Sequence, residues 1–93
     1  MKVIWSRGAL EDIRDIRRYI AHHQPRAAAK VAARIRKTRD LLRRHPLAGH
    51  EGREPGTREV VVDKLYIVIH EVTEEAVEIL GVVDGRRDRA ITE

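Results

Sequence analysis

The chain of 93 residues contains no cysteine and no phenylalanine, and its aromatic residues are one tryptophan and two tyrosines. The lack of cysteine excludes a disulfide framework and a thiolate metal site, and a reducing compartment, the cytoplasm, is expected. So few aromatic rings cannot form a platform for stacking bases, which argues against direct nucleic-acid binding. No apolar run has the length of a signal peptide or a membrane span, so we expect a soluble protein without a membrane partner.

Positive charge is concentrated in one segment of the chain. Between positions 26 and 44 eight cations stand against the single carboxylate of Asp40, so this segment carries +7 and the remainder −3 of the net +4. Such a stripe is typical of a solvated helix face, and it also suits phosphate groups or an acidic protein segment. The cations are Arg26, Lys30, Arg34, Arg36, Lys37, Arg39, Arg43 and Arg44.

The first half of the chain predicts a short strand followed by two helices. Residues 3–5 are the strand, and a helix over about Ser6 to His22 is indicated by apolar residues at intervals of four, three and four. Pro25 suits the first turn of a second helix, which ends near His45 because Pro46 follows. Alanines on the second helix allow close approach, so an antiparallel helical hairpin is expected.

The second half predicts an antiparallel sheet. Runs rich in β-branched residues occupy positions 60–62, 65–69 and 77–83, with short polar turns between them. The middle run is apolar at both odd and even positions, so both of its faces are expected to be covered, as in a central strand. The length allows one core, so residues 1–93 are predicted to form a single α+β domain. Its architecture is a short N-terminal strand and an antiparallel helical hairpin packed on a C-terminal antiparallel β-sheet.

The sequence also predicts where Arg58 lies in this sheet. A two-residue hairpin loop at positions 63–64 would place Arg58 opposite Ile69, on the same face as Val60, Val62 and Ile67. Arg58 would then stand at the rim of an apolar face.

The order and spacing of these segments resemble the RelE/ParE superfamily of bacterial toxins from toxin–antitoxin operons, and the ParE branch most. The resemblance covers nearly the whole chain and implies a small α+β fold. It rests on Trp5, Tyr19-Ile20-Ala21, Pro46-Leu47-Ala48-Gly49, Gly56-Thr57-Arg58-Glu59-Val60, Tyr66-Ile67-Val68 and Ile79-Leu80-Gly81-Val82-Val83-Asp84-Gly85-Arg86-Arg87-Asp88.

The resemblance implies a toxin that inhibits DNA gyrase by binding and is neutralised by a ParD-like antitoxin. The alternative is a RelE-like ribosome-dependent mRNA endoribonuclease, and a toxin whose activity has decayed is a third possibility. RelE-like relatives often carry arginine where this chain has Ile67, and the segment 89–93 has neither tyrosine nor histidine. Arg86 matches a nuclease position, but arginine does not give up its proton. We therefore predict no catalytic residues and no enzyme activity.

Five arginines are predicted to bind the target, the antitoxin or both. Side chains anchored at strand ends lose less entropy on binding, so Arg58, Arg86 and Arg87 are predicted to contact the target. An acidic antitoxin segment is predicted to pair with Arg34, Arg39, Arg58 and Arg86. Simple ion pairs are the competing interpretation, of Arg58 with Glu59 or Glu71 and of Arg86 and Arg87 with Asp84 and Asp88.

The histidines do not predict a metal site. No pair of the five has the spacing of zinc ligands on a helix face, and no carboxylate motif accompanies them. We expect no metal and no cofactor. His70 lies on the predicted central strand, where a buried histidine with a hydrogen-bond partner is commoner than a general base.

Overall fold

Two helices pack on a five-stranded sheet in the computed structural model, which describes residues 1–86. The strand order is β1-β5-β4-β3-β2. The elements are β1 (Lys2–Trp5), α1 (Arg7–Ala21), α2 (Pro25–Arg44), β2 (His50–Glu51), β3 (Thr57–Val62), β4 (Tyr66–Val72) and β5 (Ala76–Asp84). The predicted α+β class, both helices and the central position of β4 are confirmed. No helix among the described residues is long and apolar enough to cross a bilayer.

The helices begin where the sequence signals predict. The Ser6 side chain caps α1 by accepting a hydrogen bond from the Ala9 N–H at 3.0 Å. Pro25 opens α2, where its missing N–H breaks no helical hydrogen bond. Ala28 and Ala32 are buried, and these small side chains let α2 approach its neighbours closely.

The sheet contains two features that the sequence did not predict. β1 pairs with β5 in parallel, with Val3 opposite Val77 and Trp5 opposite Ile79, so the sheet is mixed. β2 pairs with β3 and lies between the end of α2 and the first predicted strand run, where the sequence indicated no strand. Two residues are too short to show any periodicity, which is why the pattern missed this strand. Strands β3, β4 and β5 form the expected antiparallel meander.

The turn between β3 and β4 holds one residue more than predicted. Asp63 and Lys64 form the turn, with φ values of 52° and 63°. Leu65 then stays outside the ladder, so that Val62 pairs with Tyr66. The Leu65 carbonyl instead accepts a hydrogen bond of 2.6 Å from the N–H of Gly85.

Because of this extra residue, the register of β3 and β4 differs by one position from the predicted one. Arg58 lies opposite His70, and the expected pairing with Ile69 is wrong. Because successive side chains of a strand alternate between faces, Ile67 lies on the outer face, whereas Arg58 and Val60 share the face that the helices cover. The predicted place of Arg58 at the rim of an apolar face is retained.

An extra residue in β5 creates the contact between α1 and the sheet. Ile69 pairs with Gly81 and His70 with Ile79, which leaves Leu80 without a counterpart on β4. Beyond Ile79 this edge of β5 is no longer paired with β1, since β1 ends at Trp5.

Asp12 of α1 and Ser6, the N-cap of this helix, satisfy backbone groups at this bulge. The Asp12 carboxylate accepts a hydrogen bond from the Val82 N–H at 2.9 Å. The Ser6 hydroxyl donates to the Leu80 carbonyl at 3.1 Å, and the Ser6 N–H donates to the Ile79 carbonyl at 3.0 Å. The start of α1 is therefore bonded directly to β5.

We predict that Asp12→Ala lowers the free energy of unfolding by about 1–3 kcal/mol, because it leaves the N–H of buried Val82 without a partner. Urea denaturation at neutral pH measures the change. The matched control is Asp15→Ala, which removes the same charge from the exposed side of α1 and should change stability by less than about 0.5 kcal/mol. Equal losses in both variants would show that the contact with β5 is unimportant.

Candidate functional site

A cleft of about 630 Å³ opens between the helical hairpin and the turn that joins β3 to β4. Both helices and the ends of the sheet contribute to it. Its apolar lining consists of Ile20, Ala27, Val31, Leu65 and Tyr66, and its polar lining of Tyr19, His23, Gln24, Arg34, Asp63, Lys64 and Arg86. A concave site with an apolar lining and a few charged groups is typical of ligand and peptide binding.

Arg34 bridges the cleft at one rim. Its Nη1 lies 2.8 Å from Oδ2 of Asp63, which ties α2 to the β3–β4 turn. The Arg34 side chain is more than half exposed in spite of this contact. A carboxylate from a partner can therefore reach the same guanidinium and compete with Asp63.

Arg86 lies at another part of the rim, directly after β5. Its Nη2 is 3.1 Å from Oδ2 of Asp84 and its Nε is 3.3 Å from Oδ1. This pairing raises the pKa of Arg86 further above its usual value, so the guanidinium stays charged. The competing interpretation, an internal ion pair with Asp84, is thus correct for the side chain, which nevertheless remains mostly exposed.

An aromatic pair from α1 also lines the cleft. The rings of Tyr19 and His23 meet edge to face, with centroids 6.3 Å apart and planes at 76°. Tyr19 is 51% exposed, which is high for so large a side chain. The sequence analysis missed both as site residues, although their i, i+4 spacing does place them on one face of α1.

Arg58 lies outside the cleft and serves the fold. Its Nε donates to the Leu47 carbonyl at 3.0 Å and its Nη2 to the Gly49 carbonyl at 2.9 Å. Its observed partners are therefore neither Glu59 nor Glu71, the two carboxylates proposed from the sequence. The loop is held tightly, because a Cβ at Gly49 would collide with the Glu59 carbonyl.

His70 supports the same loop from beneath. It is fully buried, and its Nε2 lies 3.1 Å from the Pro46 carbonyl. Burial lowers the pKa of His70 below its usual value, and the nearby charge of Arg58 adds to this effect. A neutral ring with no exposed surface cannot act on a substrate, as the sequence analysis expected.

The predicted binding arginines are divided between separate places. The structure brings Arg34 and Arg86 together around the cleft. Arg39 lies on the exposed surface of α2 and does not line the cleft, and Arg58 holds the loop before β2. Arg87 lies outside the described residues. Within residues 1–86, no three histidine, aspartate or glutamate side chains form a group that could hold a metal ion.

The same fold occurs in solved structures of toxin–antitoxin systems. A chain from the structure titled "Chromosomal ParDE TA system from P. aeruginosa" superposes with a TM-score of 0.82 at 22% identity, over 90% of this chain and 95% of that one. A chain of the toxin–antitoxin complex RelBE2 from Mycobacterium tuberculosis gives a TM-score of 0.63 at 22% identity, over 89% and 95% of the two chains. These likenesses show the fold.

Sequence comparison then shows the family. The "Putative toxin Y4kP" of Sinorhizobium fredii is 39% identical over 92% of this chain and 90% of its own length. "Toxin RelE2" of Caulobacter vibrioides is 32% identical over 92% and 97% of the two chains. The family model described as ParE toxin of type II toxin-antitoxin system, parDE, matches residues 3–89. The chain belongs to this ParE toxin family, as the resemblance implied.

We predict that protonation of His70 destabilises the fold in mild acid. Because the pKa of His70 is lowered in the folded state, the unfolded chain binds more protons just below about pH 6.5. The free energy of unfolding should therefore fall as the pH decreases through this window and level off below the folded pKa. Urea denaturation at a series of pH values measures the slope.

The control for this prediction is His70→Gln. The glutamine amide can still donate to the Pro46 carbonyl, but it does not titrate, so the slope should become shallower. His22→Gln, which removes an exposed histidine, should leave the slope unchanged. An identical slope in the wild type and His70→Gln would contradict the assignment.

Proposed function

We propose that this type II toxin acts in the cytoplasm by binding DNA gyrase, and that a ParD-like antitoxin neutralises it by occupying the cleft. The proposal rests on the ion pairs that the two arginines of the cleft form. Arg34 and Arg86 are each paired with an aspartate, Asp63 and Asp84. Carboxylates beside the cations oppose a negatively charged scissile phosphate, whereas they are compatible with exchange of ion pairs in a protein complex.

The surroundings of the central strand support action by binding. RNA cleavage needs a base for the 2′-hydroxyl and an acid for the leaving oxygen. Ile67 pairs with Val61 and Val83 on the outer face, and none of these three side chains can transfer a proton. His70 is fully buried, which keeps it from an RNA chain, and Tyr66 lines the cleft with only 5% of its surface exposed.

One observation favours the RelE-like ribonuclease as a second candidate. His23 lines the same cleft as Tyr19 and Arg86, and histidine is the commonest acid–base group near neutral pH. A nuclease acting through this cleft would need His23 to exchange protons with the RNA.

The shape of the cleft supports an amphipathic acidic segment as the antitoxin element. Its apolar lining gives such a segment surface to bury, and Arg34 and Arg86 offer two positive charges beside that lining. A segment that folds on binding gains affinity from both contributions while it loses conformational entropy. Arg39 and Arg58 stay as proposed outer contacts of the antitoxin, and Arg58, Arg86 and Arg87 as proposed contacts of gyrase.

The purified toxin should inhibit supercoiling by gyrase and should cut no mRNA on translating ribosomes. We expect Arg86→Ala to raise the half-inhibitory concentration about tenfold, equivalent to about 1.4 kcal/mol of binding free energy. Arg36→Ala, which removes an exposed charge from α2, is the matched control and should stay within about twofold. Site-specific mRNA cleavage that disappears in His23→Gln would replace the gyrase proposal with the ribonuclease.

A bulky side chain in the cleft should prevent antitoxin binding. Ala27→Arg places a long cation against the apolar lining, and we expect it to weaken the affinity for the antitoxin encoded beside the toxin at least about tenfold. Ala33→Arg makes the same change on the exposed side of the same helix and should bind normally. Circular dichroism verifies that both variants fold. Equal binding of the two variants would show that the antitoxin does not use the cleft.

A further inference from the structure

The side of α2 that faces away from the sheet carries a row of cations. Arg26, Lys30, Lys37 and Arg44 follow one another at intervals of four, seven and seven residues, and all are exposed. These intervals place them on one face, opposite buried Ala28 and its neighbours. At 1.5 Å per residue the row is about 27 Å long.

The charge of this row is not compensated within the described residues. Among residues 1–86, Arg34 is the one α2 cation whose side chain pairs with a carboxylate. Asp40 is the single acidic residue of the helix. The Arg44 Nε donates a hydrogen bond to the Asp40 backbone carbonyl at 3.4 Å, which leaves its charge without a carboxylate partner among the described residues. The positive field of the row is therefore available to a partner.

The same face offers almost nothing apolar. Its uncharged residues are Ala29 and Ala33, both exposed, and the half-buried Leu41, four residues after Lys37. Protein interfaces gain most of their affinity from buried aromatic or aliphatic anchors, and this face supplies one leucine of that kind. The apolar cleft differs from this face, so we expect charge to dominate recognition of the partner that binds here.

We propose that the outward face of α2 docks on the phosphate backbone of duplex DNA. Duplex DNA presents one negative charge for about every 1.7 Å of its axis, which suits a straight row of cations. Single-stranded nucleic acid is bound through stacked aromatic rings, and α2 has none. The sequence argument against nucleic-acid binding concerned stacking, which contact with phosphates does not require.

The rest of the charge distribution orients the protein on such a duplex. On the outer face of the sheet, away from the helices, Glu71 lies directly opposite Glu78. Their repulsion from phosphates favours the orientation in which α2 meets the DNA and the sheet faces away. The choice of DNA rests on the proposed function, since gyrase itself acts on duplex DNA.

Fluorescence anisotropy of a labelled duplex, titrated with antitoxin-free full-length toxin and without gyrase, tests this inference. Lys30→Gln/Lys37→Gln/Arg44→Gln should weaken binding at least about tenfold at low salt and reduce the slope of log K against log salt by about two to three. The matched control is Arg14→Gln/Arg17→Gln/Arg18→Gln, which removes the same charge from exposed positions of α1. It should stay within about twofold of the wild type.

Three results would overturn the inference. The first is that the wild type does not bind duplex DNA at about 50 mM salt. The second is that both triple variants weaken binding equally. The third is that the wild type binds duplex RNA or polyglutamate more tightly than duplex DNA. Because gyrase is absent, the result is separate from the supercoiling assay. Gyrase inhibition without duplex binding contradicts this inference alone, and duplex binding through α2 with uninhibited gyrase contradicts the proposed function alone.

Discussion

The bonding of α1 to the bulge of β5 is the contact on which the rest of the arrangement depends. β1 ends at Trp5 and α1 begins at Arg7, so the chain must turn from strand to helix within one residue. Ser6 makes this turn possible, because it caps the helix and at the same time bonds to β5. Asp12 adds a second attachment one and a half turns later. Together they fix the angle of α1 and thereby one wall of the cleft.

Local sequence signals were enough to predict the helices and the main strands. Pro25 and the periodic apolar residues act within a few positions, so they could be read without knowledge of the fold. The register of β3 and β4 could not be read in this way, because nothing in the sequence shows that Leu65 stays outside the ladder. The parallel pairing of β1 with β5 was not predicted, because the two strands lie far apart in the sequence and local patterns do not show which strands pair.

The candidate site was predictable only in part, for the same reason. Arg34 and Arg86 were identified one by one as charged and suitably placed, but their convergence on one cleft depends on how α2 packs. Arg58 was identified as a strand-end arginine, and its partners turned out to be carbonyl groups of a loop. A sequence shows which side chains are ionic, whereas backbone acceptors become visible only when the chain is folded.

The contact between Arg34 and Asp63 has a consequence for how toxins and antitoxins of this kind diverge. Asp63 lies in a tight turn at the surface, apart from the buried core. Exchange of this one acid would remove the ion pair between α2 and the turn and alter the charge at the cleft, while the buried contacts of α2 with the sheet would remain. If the antitoxin occupies the cleft as proposed, such a change would alter which antitoxin the toxin prefers while the scaffold is retained.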